Sequence, residues 1–130
     1  MGRILVIDDD HLVRFTIRTA LEQAGHAVVE AADGARGLAA FEADRFDLVI
    51  TDLLMPEKEG VETVRELRQR SRAVKILVVS GGGMMKMLDY LSMAEAFGAD
   101  RSLAKPFTSR ALVAAVAELL AAGPETKTPG

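Results

Sequence analysis

Three short aliphatic runs constrain this chain more than anything else in it, because each stops abruptly at a polar residue. Ile4-Leu5-Val6-Ile7 runs into Asp8-Asp9-Asp10, Leu48-Val49-Ile50-Thr51 into Asp52, and Ile76-Leu77-Val78-Val79 into Ser80. Runs of this length, rich in β-branched residues, read as strands buried on both faces. Two weaker runs have the same form: Ala27-Val28-Val29-Glu30-Ala31, and Ser102-Leu103-Ala104 ahead of Lys105-Pro106-Phe107. Helical spacing fills the gaps. Val13, Ile17, Ala20, Leu21 and Ala24 fall on one face of a helix that Gly25 stops, with Phe15 pointing off that face. Asp33-Gly34 opens a helix carrying Leu38 and Phe41. A third, after Pro56 and Gly60, carries Val61, Val64 and Leu67. The pattern continues from Met84 to Phe97, closed by Gly98, and from about Thr108 to Ala122, with Leu112, Val116, Leu119 and Leu120 inward.

Five β–α units in strict alternation imply a parallel sheet with helices on both faces and right-handed crossovers. The three strongest strands belong in the centre and the two weak ones at the edges. That gives a flavodoxin-like doubly wound (βα)5 fold with strand order 2-1-3-4-5, whose ligand crevice lies at the C-terminal ends of strands one and three. At 130 residues the chain suits one domain with a real core. Residues 1–122 read as that domain and 123–130, with two Pro, as a frayed tail. The absence of Cys excludes disulfides and thiolate zinc sites. A net charge of −3 argues against direct nucleic-acid binding, which needs a basic face. No run reaches membrane-spanning length and no signal peptide opens the sequence, so no membrane role is expected and a cytoplasmic location is the default.

The strand ends form a coherent set. Asp8 and Asp9 follow strand one, Asp52 strand three, Ser80 strand four and Lys105 strand five. A single such residue is more often a turn or helix cap, as Asp10 is read to be. Two carboxylates about 4 Å apart repel by roughly 4 kcal/mol at an effective dielectric near 20. Three Asp against one Lys leave a formal local charge of −2. A divalent cation with oxygen ligands removes it, and Mg2+ suits such a site, with Mn2+ as an alternative. Asp is a known nucleophile toward phosphoryl groups, and a Ser hydroxyl and a Lys ammonium can both bind phosphoryl oxygens.

On Ile7-Asp8-Asp9, Asp52-Leu53-Leu54-Met55-Pro56 with Gly60, Val79-Ser80-Gly81 and Lys105-Pro106-Phe107, the chain resembles a response-regulator receiver domain of two-component signalling over residues 3 to about 122. The resemblance implies a phosphoprotein rather than an enzyme in the ordinary sense. Asp52 would accept a phosphoryl group from a sensor histidine kinase or a histidine phosphotransfer protein, aided by Ser80 and Lys105. Mg2+ would be bound by Asp9 and Asp52, by Asp8 through water, and by the backbone carbonyl of Leu54. A cis bond before Pro106, a downstream protein target and a phosphorylation-dependent dimer fit the same resemblance.

The sequence departs from that pattern in places. Many receivers place Tyr or Phe three residues before the Lys, and here that position is Ser102. Switching would then pass through Gly81-Gly82-Gly83 into the helix carrying Met84, Met85, Met87 and Met93, some of which must be exposed. Leu54 and Gly82 offer no polar side chain to orient a hydrolytic water. His11 and His26 read as surface residues without a role. An aspartyl-nucleophile phosphatase is the main rival, since Asp8-Asp9-Asp10 contains Asp-x-Asp, but His11-Leu12 follows it and there is no cap insertion. A flavin carrier would want a Ser/Thr/Gly-rich first loop, and stacking groups are scarce: no Trp and only Tyr90.

Overall fold

The computed structural model describes residues 2–52, 60–80 and 98–122, with only the backbone of Ser80. Leu54, the glycines at 81–83, the Met-rich segment and the tail 123–130 lie outside the described residues, and so do the expectations attached to them. In chain order the elements are β1 (Arg3–Ile7), α1 (His11–Gln23), β2 (Ala27–Ala31), α2 (Gly34–Ala43), β3 (Leu48–Asp52), α3 (Gly60–Arg70), β4 (Lys75–Ser80), β5 (Arg101–Ala104) and α4 (Ser109–Ala121). All four strand pairings are parallel, and the order is β2-β1-β3-β4-β5.

The strand period of two divides the apolar residues between two cores. Leu5, Ile7, Val49, Ile76 and Val78 face α2 and α3, where they meet Leu38, Val61, Val64 and Leu67. Ile4, Val6, Leu48, Ile50, Leu77 and Val79 face α1 and α4, where they meet Ile17, Leu21, Leu112 and Val116. Burying both faces explains why the central strands carry aliphatic residues without alternation; each such side chain contributes about 1.5–3 kcal/mol. On one face α2 lies so close to β1 that a Cβ at Gly37 would stand 2.3 Å from Ile7 Cδ1.

Caps set where the helices start. Asp10 Oδ1 accepts the amides of Leu12 at 2.9 Å and Val13 at 3.4 Å. Asp33 Oδ1 accepts Arg36 N at 2.8 Å, and Thr108 Oγ1 accepts Ala111 N at 3.0 Å. Thr108 therefore caps α4 rather than beginning it. Gly25 takes φ 98°, the left-handed conformation that ends a helix. Two side-chain expectations need correcting. Ala24 is exposed, because it is the C-cap of α1 and has left the apolar stripe. His26 is half-buried, and its Nδ1 accepts the Gly2 amide at 3.0 Å. Burial and the nearby N-terminal charge hold its pKa below the ordinary value. Phe15 does stand clear of the core and is exposed, as is Leu12. Among the described residues no helix is long and apolar enough to cross a membrane.

Candidate functional site

The parallel sheet delivers its strand ends to one edge. Beyond β1, Asp8 N still donates to Ala31 O at 3.2 Å, which holds Asp8 in line with the strand. The carboxylate of Asp8 is buried, with Oδ1 accepting Asp10 N at 2.9 Å. Asp9 is exposed beside it. Asp52 closes β3 opposite Val79 and is also buried. Its neighbour Thr51 is fully buried and donates Oγ1–H to Asp52 O at 3.1 Å.

Lys105 comes from the far side. It follows β5 and precedes a cis peptide bond to Pro106, as expected. Its Nζ lies 3.2 Å from Asp8 Oδ2 and 3.2 Å from Asp52 Oδ2, one ammonium joining two strand ends. Asp8, Asp9 and Asp52 can each present a carboxylate oxygen within 4.8 Å of the others. Ser80 ends β4 in register with Ala104, one residue before Lys105, so its backbone stands at the same edge. Ser102 pairs with Val78 inside β5.

The charges are strongly coupled. Burial pushes the Asp8 carboxyl above its ordinary value, and repulsion from Asp52 adds to this; the Asp10 amide and Lys105 pull the other way without prevailing. Burial alone would lower the Lys105 pKa, but the charges of Asp52 and Asp8 and its hydrogen bonds to both raise it. The ammonium is therefore locked on, shared by Asp8 and Asp52, with Asp9 beside them. An all-oxygen donor set of this kind fits a hard divalent cation and offers nothing to a soft one.

Two side chains that sequence reasoning passed over complete the surroundings. Arg14 Nη1 donates to the Asp8 carbonyl at 2.6 Å, while its Nε donates to Glu30 Oε1 at 3.0 Å. In the sequence both are ordinary polar positions, one on a helix and one in a weak strand. Beside the site a groove of about 510 Å³ opens between α1 and the loop after β5, lined by Leu12, Val13, Ile17, Lys105 and Phe107 among others.

Comparison with known proteins identifies the family and the fold. The family model described as the response regulator receiver domain matches residues 4–117. The chain is 35% identical over 120 residues to the transcriptional regulatory protein CpxR of Klebsiella pneumoniae, covering 92% of this chain and 50% of that protein. It is 37% identical over 118 residues to the response regulator MprA of Mycolicibacterium vanbaalenii, covering 91% of this chain and 50% of that protein. The chain thus spans about half the length of these relatives. Among solved structures, a response regulator receiver domain protein from Clostridium thermocellum superposes with a TM-score of 0.85 at 31% identity, covering 93% of this chain and 95% of that one. A CheY-like receiver domain protein from Methanospirillum hungatei gives a TM-score of 0.87 at 30% identity, covering 93% and 94%.

Proposed function

The chain belongs to the response regulator receiver domain family of two-component signalling, and on that premise we propose that Asp52 accepts a phosphoryl group from a phosphohistidine on a partner protein. The observation that carries this reading is Lys105 Nζ, 3.2 Å from both Asp8 and Asp52 within a cluster of three carboxylates. In the transfer, a carboxylate oxygen of Asp52 forms a bond to phosphorus as the P–N bond to the donor's imidazole breaks. The imidazole keeps the electron pair and leaves. Lys105 is already held by Asp52, so its ammonium is in place to bind a phosphoryl oxygen as charge builds there. The Ser80 hydroxyl, from the neighbouring strand end, is assigned the same task.

Asp9 and Asp52 would hold Mg2+ directly and Asp8 through water, with Leu54 supplying a backbone carbonyl; Mn2+ is an alternative ion. When bound, the cation supplies positive charge that lets an anionic phosphoryl group approach an anionic Asp. The groove beside Lys105, lined in part by exposed Leu12, suits an apolar helix of the kinase or phosphotransfer protein that brings the donor. The modified chain then signals through protein contacts.

Incubation with Mg2+ and a small phosphodonor should give an alkali-labile acyl phosphate on wild type and none on Asp52→Asn. Lys105→Ala should still be labelled but respond weakly to the label. Alkali-stable phosphate on a Ser, or label that survives in Asp52→Asn, would refute the assignment.

A further inference from the structure

We infer that Arg14 is a positioning residue for the acidic cluster: its guanidinium fixes the Asp8–Asp9 peptide so that the cluster can take a divalent cation. The inference rests on the reading of that cluster as a Mg2+ site and names a residue which that reading leaves out.

β1 ends at Ile7, and the Asp8 amide makes the last bond to β2, to Ala31 O at 3.2 Å. The next backbone acceptor, the Asp8 carbonyl, has left the sheet ladder. Arg14 meets it one turn into α1, Nη1 to O at 2.6 Å. The carbonyl oxygen sets the plane of the Asp8–Asp9 peptide, and that plane sets where the Asp9 side chain leaves the backbone. Arg14 is itself held. Its Nε donates to Glu30 Oε1 at 3.0 Å, and its side chain is only 14% exposed, against 20% for Glu30. One planar group with two separate N–H directions makes both bonds; a lysine ammonium at that distance has no such fork. Glu30 has a second function. Its charge balances Arg14, so the site gains a fixed carbonyl without gaining a strong repulsion toward an incoming cation.

A neighbouring residue separates this role from a merely structural one. Arg18 also reaches Glu30, with Nη1 3.1 Å from Oε2, and pairs with Glu22 at 3.0 Å. Among the described residues Arg18 makes no bond to Asp8. Arg14 and Arg18 thus share an ion-pair network, and among the described residues Arg14 is the one that couples it to the site.

The experiment is a Mg2+ titration of the whole chain, followed through the amide signals of residues 8–10, with thermal unfolding run in parallel. Arg14→Gln is expected to weaken Mg2+ binding about tenfold, the low end of what losing a partner of a metal ligand costs. Arg18→Gln should change it less than about twofold, within the spread of an exposed ion pair. Arg14→Lys should fail to restore wild-type affinity. Glu30→Gln, which leaves the Asp8–Arg14 bond available but unheld, should weaken binding by less than Arg14→Gln and provides a second reading if Arg14→Gln folds poorly. Equal affinity in wild type and Arg14→Gln, or an equal loss in Arg14→Gln and Arg18→Gln, would overturn the inference and leave the metal reading standing. A wild-type chain that ignores Mg2+ would overturn the metal reading itself, and this inference with it.

Discussion

Asp8, just beyond β1, and Glu30, on the neighbouring β2, are two carboxylates with opposite responses to pH. Asp8 is buried against Asp52, and its folded pKa lies above the ordinary 3.8. The folded state therefore binds that proton more tightly than the unfolded chain does. The resulting stabilisation is complete below 3.8 and is lost as pH rises through the raised value. For Glu30, burial opposes ionisation, but hydrogen bonds from Arg18 and Arg14 outweigh it and hold its pKa below the ordinary 4.5. Its stabilisation is present above 4.5 and is lost as pH falls through the depressed value. In Mg2+-free buffer, Asp8→Asn should thus gain on wild type as pH rises from acid toward neutral, while Glu30→Gln should lose. Urea midpoints measured across that range check the pair, and movement in the same direction would contradict one of the two assignments. The legibility of these residues differs for a physical reason. Asp8, Asp52 and Lys105 could be found from the sequence because strand ends converge in a parallel sheet. Arg14 could not, because its partner is a backbone carbonyl whose direction depends on how one turn closes. His26 was misread for the same reason: its partner is the amide of Gly2, which no side-chain pattern shows.

At the level of elements, hydrophobic strength placed the strands correctly, since a strand covered on both faces cannot afford polar positions while an edge strand can. What the pattern could not show is how the elements are tied at the opposite edge of the sheet. There Arg68, near the end of α3, donates to Val74 O at 2.8 Å and to Gly98 O at 2.8 Å, and pairs with Asp100 Oδ2 at 2.8 Å. The same Asp100 oxygen accepts Ile76 N at 2.8 Å. One guanidinium therefore joins α3, the start of β4 and the turn into β5. Gly98, at φ 116°, lies so close that a Cβ would meet Arg68 Cγ at 2.8 Å. With side chains only 17% and 5% exposed, this pair is dry enough that removing one partner strands the other. Arg68→Ala is expected to destabilise the fold by about 3 kcal/mol, read from urea unfolding. A loss below about 1 kcal/mol, as for an ordinary surface pair, would show that the clasp matters little.

For the whole molecule, alternation of strands and helices carried most of the weight, because it leaves few topologies open. It also spreads the site along the chain: Lys105 is 97 residues from Asp8 and 53 from Asp52. Contacts at that separation close late in folding, after nearer elements have repaid the entropy of loop closure. A chain that has assembled β1 and β3 without β5 holds three carboxylates together with no Lys105 among them, and their repulsion opposes lingering in that state. The ammonium arrives with the last strand and relieves it. Lys105→Met should then leave the folding rate close to wild type and raise the unfolding rate, a φ-value near zero in a stopped-flow chevron without Mg2+. A φ-value near one would instead put β5 in the nucleus. On this account the charges at the sheet edge also act as a timer, since β5 must dock before an ammonium stands among the carboxylates.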